Sequence, residues 1–314
     1  MKFSETHCVG CGKKGATELE AIDLEAQHIF YAPHDKVSRD ELIRQAQRSA
    51  ECYVMLKCKH CALEFANPSI APNSQWYSLA YRLLSLYPAT RWEFDHVLKH
   101  LKATDVIGEI ACGSGTFLKK CREKNIHCHG VDFLGESIEQ CHAQGLSASV
   151  ADIAQEELPG DKKNAIAAFH ILEHLDEPGQ LFQSSLRWAT DDAVLWIAVP
   201  SDRRPSRVLK EVDFLDQPPH HMTRWNRSAL QQIGQLNGWK LEEIIYEPIS
   251  SAAANWWFAT RSPIYKFMAR KVKSPPALVE KTLRGLLYPI AALKCRQLQH
   301  PLSGHAVLAR YSRA

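Results

Sequence analysis

No stretch of the 314-residue sequence approaches the ~18 consecutive apolar residues that a bilayer-spanning helix needs. The opening residues Met1-Lys2-Phe3-Ser4-Glu5 carry no apolar core of the kind a secretory leader requires, so a cytoplasmic location is expected. Internal repeats and low-complexity tracts are also missing, which excludes solenoid and collagen-like architectures. Net charge is only +3, so the overall balance singles out no partner. What remains is an ordinary globular composition, 45% hydrophobic and 23% charged, long enough for one large domain and a smaller one. In a reducing compartment the ten cysteines read as metal ligands or packed thiols before disulfides.

Charge is unevenly placed. Residues 248–304 hold nine Lys/Arg against a single acid, Glu280, a local +8 that leaves −5 for the rest of the chain. Such a block favours anionic partners, or forms a solvated helical face. The same stretch holds Trp256-Trp257-Phe258 and the apolar run Gly285–Leu293, expected to pack between the last two strands. As an interface, a lid or a membrane-surface contact it would serve differently.

Two Cys-x-x-Cys pairs, Cys8/Cys11 and Cys58/Cys61, form the strongest local signal. Each pair makes a tight knuckle presenting two thiolates, and four thiolates suit tetrahedral Zn2+ at ~2.3 Å. A site filled by four protein sulfurs leaves no open position, so the metal is expected to be structural. The 46 residues between the pairs exceed the ~15–20 of common ribbons. A helical insertion, opened by a capping box at Ser38-Arg-Asp-Glu41 and running to about Ala50, accounts for the excess. Cys52 is expected in the core.

From Asp105 onward short apolar strands alternate with helices. Strands are expected at 105–111, 127–132, 147–151, 165–169, 193–199, 240–246 and 305–311, and helices at 115–124, 135–144, 178–189 and 227–237. This pattern implies an α/β fold, a doubly wound, mostly parallel seven-stranded sheet with helices on both faces, preceded by the small zinc-binding module. The expected boundaries are 1–75 for that module, 76–104 for a helical linker, 105–247 plus 305–314 for the catalytic domain, and 248–304 for the basic insertion.

The first strand turns into its helix through Glu109-Ile-Ala-Cys-Gly-Ser-Gly115, where Gly113 and Gly115 allow a tight turn and close approach of a ligand. Gly130-Val-Asp132 then offers a carboxylate to ribose hydroxyls, and Ala151-Asp152-Ile153 a carboxylate and an apolar wall to an adenine. The fourth strand ends in Phe169-His-Ile-Leu-Glu-His-Leu-Asp-Glu-Pro178 and the fifth in Leu195-Trp-Ile-Ala-Val-Pro200.

This ordered set closely resembles the class I S-adenosylmethionine-dependent methyltransferases, a Rossmann-like fold, and within them the branch whose motif after the fourth strand ends in Leu-Glu-His. Asp216-Gln-Pro-Pro-His-His-Met-Thr-Arg-Trp225, Leu230 and Gly238-Trp239 fit that branch, and residues 56–68 are similar to the zinc ribbon prefixed to many bacterial members. The likeness covers roughly residues 1–245 and the last strand. It implies that Glu109, Ala111, Gly113 and Gly115 surround the methionine part of S-adenosylmethionine, Asp132 the ribose and Asp152 the adenine amine. Phe133 and Ile153 become apolar walls, and His170 lines the pocket near the sulfonium. Two departures stand out: Ala111 where the family usually has glycine, a change a small residue should tolerate, and Glu109 where it usually has aspartate.

Methyl transfer is an in-line displacement, so the protein must align the nucleophile and, for O- or N-acceptors, remove a proton. His170, His174, His220 and His221 titrate near neutrality. His220 or His221 is the expected base, because their loop follows the fifth strand and should overhang the acceptor. Glu173 is expected either to orient one of them or to pair with His174 as a structural cap. Arg203, Arg204 and Arg207, with the basic block, point to a small anionic acceptor such as a sugar nucleotide or phosphorylated metabolite. One rival is an RNA methyltransferase gripping phosphates with the zinc module and basic block. Against it, the knuckles are not basic-rich, and no Asn/Asp-Pro-Pro-aromatic motif follows the fourth strand. The other is a zinc-bearing scaffold without chemistry, disfavoured because every cofactor position is plausibly filled. Either a monomer or a homodimer is compatible with the sequence.

Overall fold

The computed structural model describes residues 3–84, 91–153, 158–250, 252–254, 257, 289, 293, 298 and 301–314. Most of the expected surface at 256–258 and 285–293 lies outside them. The chain forms two compact units, one of Met1–Pro200, Asp213–Ile245 and Val307–Ala314, the other of Ser201–Val212 and Tyr246–Ala306. No helix among the described residues is long and apolar enough to cross a membrane.

The first unit begins with β1 (Ala16–Ala21), α1 (Leu24–Tyr31), α2 (Lys36–Gln47), β2 (Val54–Cys58) and β3 (Glu64–Asn67), followed by α3 (Ser74–Leu84) and α4 (Trp92–His100). The α2 helix starts earlier than its expected cap. Asp35, in extended backbone, accepts from Ser38 N at 3.0 Å and from Ser38 Oγ at 2.6 Å, so Ser38 lies inside the first turn. An aspartate in the right conformation captures the free amides before a serine three residues on can do so.

Alternation then follows with β4 (Val106–Ile110), α5 (Thr116–Glu123), β5 (His127–Asp132), α6 (Gly135–Ala143), β6 (Ala148–Val150), β7 (Lys163–Phe169), α7 (Gly179–Trp188) and β8 (Ala189–Pro200). After α8 (Pro205–Val208) come β9 (Thr223–Arg224), α9 (Arg227–Leu236), β10 (Trp239–Tyr246) and β11 (Ala306–Arg313). Seven strands form one sheet in the order β10-β11-β8-β7-β4-β5-β6, and the β6/β5, β5/β4, β4/β7 and β7/β8 pairings are all parallel. The chain runs outward from β4 to β6, then returns to β7 on the opposite side of β4. That reversal opens a crevice at the carboxyl ends of β4 and β7, where open α/β sheets bind ligands.

Four strands form a second sheet, β1-β2-β3-β9. Its last member comes from 156 residues beyond β3, with Phe65 opposite Thr223 and Glu64 opposite Arg224. Arg224 is half-buried and ion-paired to Glu20 at 2.9 Å and to Asp216 at 3.2 Å, which ties β1 and the loop before β9 to the same guanidinium.

Close approach decides one position of the central strand. A Cβ on Gly108 would stand 2.2 Å from a ring carbon of Trp188, whose Nε1 donates to the Pro159 carbonyl at 3.1 Å. The ring is held and cannot simply swing away. Gly108→Ala is therefore expected to lose about 1–3 kcal/mol of stability, read as a lower urea midpoint at unchanged slope. An unchanged midpoint would show that Trp188 yields freely.

Candidate active site

The turn after β4 enters the left-handed region repeatedly. Gly115 has φ +82°, and a Cβ there would lie 2.6 Å from Leu146 Cδ1 and 2.9 Å from Cys141 Sγ, so glycine is required on two counts. Ala111, with φ +58°, takes a conformation costing a non-glycine residue roughly 1–2 kcal/mol. His170, at the end of the neighbouring β7, is also left-handed at φ +52°. Strained residues at adjacent strand ends mark a backbone shaped for more than packing.

Asp132 closes this turn. Its Oδ2 accepts from Gly113 N and its Oδ1 from Leu134 N, both at 2.9 Å, which leaves each oxygen further lone pairs. Burial raises its pKa, and those amide bonds partly offset the rise. Two cavities meet at Ala111. One of about 230 Å³ is lined by Asp132, Phe133, Asp152, Ile153, Tyr77 and His174, and one of about 60 Å³ by Arg91, Glu109, Gly113 and Ser114. Glu109 is buried, and its Oε2 has no hydrogen-bond partner among the described residues. Burial pushes its carboxyl well above the usual range. An orphaned acid in a small cavity fits a cationic ligand group, such as the ammonium of an amino acid.

His170, expected beside the sulfonium, lines neither cavity. Its Nε2 lies 2.9 Å from Glu93 Oε1 and its Nδ1 3.2 Å from Glu173 Oε1. Burial alone would lower its pKa, but the two carboxylates outweigh it and raise the value. Burial likewise opposes ionisation of Glu173, yet the His170 bond wins and holds that acid down at about 2. His170 is thus an imidazolium between two acids, fastening α4 to the end of β7. Glu173 pairs with His170, while His174, its neighbour in the short helical turn Leu172–His174, bonds elsewhere.

His174 turns instead to the loop before β9. Its Nδ1 donates to the His220 carbonyl at 2.7 Å. His220 Nδ1 is hydrogen-bonded to Tyr31 Oη of α1, and His221 Nδ1 donates to Asp216 Oδ1 at 3.2 Å. Burial, reinforced by the neighbouring His221, pushes His174 down to about 3 and His220 well below its usual value. The four residues expected to carry chemistry, His174, His220, His221 and Glu173, are therefore brought together. The loop is held on both sides: Ala66 N donates to Met222 O at 2.8 Å and Met222 N to Glu173 O at 2.7 Å.

Residues 94–244 match the family described as a methyltransferase domain. The chain thus carries a methyltransferase domain over those residues. Solved structures similar to it include an S-adenosylmethionine-dependent methyltransferase from Archaeoglobus fulgidus, 16% identical, with a TM-score of 0.49 over 70% of this chain and 91% of that one. Magnesium protoporphyrin IX methyltransferase from Synechocystis PCC 6803 is 12% identical, with a TM-score of 0.47 over 77% and 96%. A methyltransferase from Mesorhizobium loti is 13% identical, with a TM-score of 0.43 over 72% and 98%. No curated protein matches the chain significantly.

Beside the catalytic sheet, the methyltransferase buries Cys8, Cys11, Cys58 and Cys61 with their sulfurs gathered as one group. Cys8 Sγ lies 3.6 Å from Cys61 Sγ, and Cys11 Sγ 3.6 Å from Cys58 Sγ. A tetrahedron with ~2.3 Å metal–sulfur bonds has edges of about 3.8 Å, so the four positions fit one ion. The Cys61 thiol beside Cys8 outweighs burial and pushes the Cys8 thiol down to about 5.

Sequence reading missed several parts of the methyltransferase site. Glu93 and Arg91 looked like members of a linking helix. Tyr77 and Tyr81 line the larger cavity from α3, and their spacing of four on one helix face was the available signal. Tyr31 gave none, since its partner lies 189 residues away.

Proposed function

We propose that this methyltransferase takes its methyl group from S-adenosylmethionine and acts on a small anionic metabolite, such as a sugar nucleotide or phosphorylated compound, and that a structural Zn2+ fills its four-cysteine cluster. The carrying observation is the joined pair of cavities: Glu109 at the narrow end, Asp132, Asp152 and Asp176 in the wider part, and the buried His174 in its wall. Asp132 would bind the ribose hydroxyls with its remaining lone pairs, and Asp152 the adenine amine between Phe133 and Ile153. Glu109 would accept from the α-ammonium of the methionine moiety. The donor supplies a methyl group already activated by its sulfonium charge. The protein's own task is then to hold the acceptor in line and keep water out.

The acceptor side would be furnished by His174, His220 and His221, with Glu173 beneath. His174 and His220 stay neutral at ordinary pH and are poor holders of a transferred proton. His221, oriented by Asp216, is the ring built like a base. The anionic character is supported by the arginines of 203–207, which directly follow β8 in the chain, and by the +8 block after β10. Within that unit, the Arg203 guanidinium stacks 3.8 Å over the Tyr246 ring, a rigid cationic plane of the kind that meets phosphate.

The cofactor assignment has a pH signature. Glu109 is neutral in the free protein well above the normal carboxylate range, whereas an ammonium partner requires it ionised. Binding must therefore expel a proton, and affinity falls as pH drops below the free-state pKa of Glu109, by up to about tenfold per unit. Calorimetry of S-adenosylhomocysteine in buffers of different ionisation heat reads this directly. Proton release that disappears in Glu109→Gln supports the role; identical release in both proteins removes it. Labelled-donor screening against sugar nucleotides, phosphorylated metabolites and their dephosphorylated counterparts then tests the acceptor class. Equal turnover of charged and uncharged members would overturn it.

A further inference from the structure

The three rings on the acceptor side share a feature that neither cofactor binding nor packing calls for. Each has its Nδ1 engaged from behind, His174 by the His220 carbonyl, His221 by the Asp216 carboxylate and His220 by the Tyr31 phenol. A carbonyl and a carboxylate only accept, so the protons of His174 and His221 sit on Nδ1 and their Nε2 lone pairs are left open. With Nδ1–H donated to Tyr31 Oη, His220 presents its Nε2 lone pair in the same way.

The rings also converge. Their centroids form a near-equilateral triangle of 5.0, 4.7 and 4.9 Å, and one ligand atom from each lies within 4.8 Å of the others. Three imidazoles bound at ~2.0–2.1 Å around a tetrahedral ion would place their centroids about 5 Å apart. Beside them stands an acid with an unused atom. Glu173 is 1% exposed, and its Oε2 has no hydrogen-bond partner among the described residues, while its Oε1 is 4.0 Å from His221 Nε2.

We propose that His174, His220 and His221 form a second metal site, taking a divalent transition cation of the zinc class at the rim of the cofactor cavity, with Glu173 beside it. Neutral imidazole suits such ions, and an outer partner on every Nδ1 is the arrangement that fixes the tautomer and ring orientation of metal-bound histidines. The site differs in kind from the four-cysteine cluster. Three nitrogens leave a coordination position open, whereas four thiolates fill the sphere. His174 also lines the larger cavity, so the site borders the space an acceptor would enter. In the loaded site His221 is a ligand rather than a base. The proposal rests on the histidine geometry, independently of which acceptor is used.

Cobalt distinguishes the two sites in the full-length protein. Reconstitution with Co2+ is expected to bind two equivalents. The first gives intense thiolate-to-metal charge transfer from the cysteine cluster; the second adds weaker visible bands without charge transfer. His220→Gln and His174→Gln should each lose the second set while keeping the first, and the retained thiolate spectrum shows that the variant is folded. Tyr31→Phe, which removes only the outer partner of His220, should weaken the second site about 10–100-fold. A single equivalent in the wild type, with visible bands unchanged in both histidine variants, overturns the proposal whatever the fate of the cofactor assignment.

Discussion

Cys58→Ser combined with Cys61→Ser is expected to yield a protein that binds no zinc in its N-terminal sheet and has lost the order of a loop more than 150 residues away. Zinc held by four thiolates contributes apparent binding energies of about 10–16 kcal/mol at neutral pH, and in small modules that energy is folding energy. Here the knuckles frame β2 and β3, and β3 is the strand on which Thr223 and Arg224 pair. Without the proposed ion, the edge that receives β9 is expected to lose its order, and the Ala66–Met222 bond with it. Hydrogen exchange of wild type and variant should show protection lost over 54–67 and, in step, over 222–224. The parallel strands β4, β5 and β7 should keep theirs, because they pair only within the large sheet. Persisting protection at 222–224 would show that Arg224 and its ion pairs hold the loop unaided. Chelation of the native protein should reproduce the variant.

Asp132→Ala should weaken S-adenosylhomocysteine binding by about 10²–10⁴-fold. Two contributions add. The bonds to the ribose hydroxyls, each charge-assisted, would be worth roughly 1.5–3 kcal/mol, and the amides of Gly113 and Leu134 lose a buried acceptor at about 1–3 kcal/mol each. Part of the second cost falls on the free protein, so the affinity loss is less than the sum. Asp132→Asn separates the two, since its one amide oxygen serves a single backbone N–H and carries no charge. It should bind with intermediate affinity and regain most of the stability that the alanine variant loses. Calorimetry with parallel thermal unfolding checks both, and affinity within threefold of wild type for Asp132→Ala would remove the ribose assignment.

The large sheet was readable because its strands are short apolar runs covered on both faces, and the positions expected from β4 through β8 lie within a few residues of those observed. The first ligand turn was readable for a related reason: tight turns and close approaches restrict residue type, so Gly113, Gly115 and Asp132 stand out locally. The N-terminal sheet was not. Ala16–Ala21 reads Ala-Thr-Glu-Leu-Glu-Ala, mostly exposed, and is a strand because β2 lies beside it. Thr223–Arg224 is too short for any pattern and is a strand only through β3. The histidine group was half visible. That the loops after β7 and β8 share one edge of a parallel sheet follows from the strand order, so His174 and His220 could be expected near each other. That a tyrosine of the inserted helix would hold His220, or that Glu93 would draw His170 away from the cavity, depends on contacts across 189 and 77 residues.

The seating of β9 at the edge of the ribbon sheet bears on how such enzymes can be recombined. A chimera that exchanged only the N-terminal segment for a relative's would leave Thr223–Arg224 facing a foreign strand, and would strip His220 of its phenol and Arg224 of Glu20 and Glu64. The transferable unit is discontinuous: the ribbon with its inserted helices, and the segment from Asp213 to Trp225, must travel together. Acceptor preference should then be inherited with the ribbon, and donor binding with the sheet.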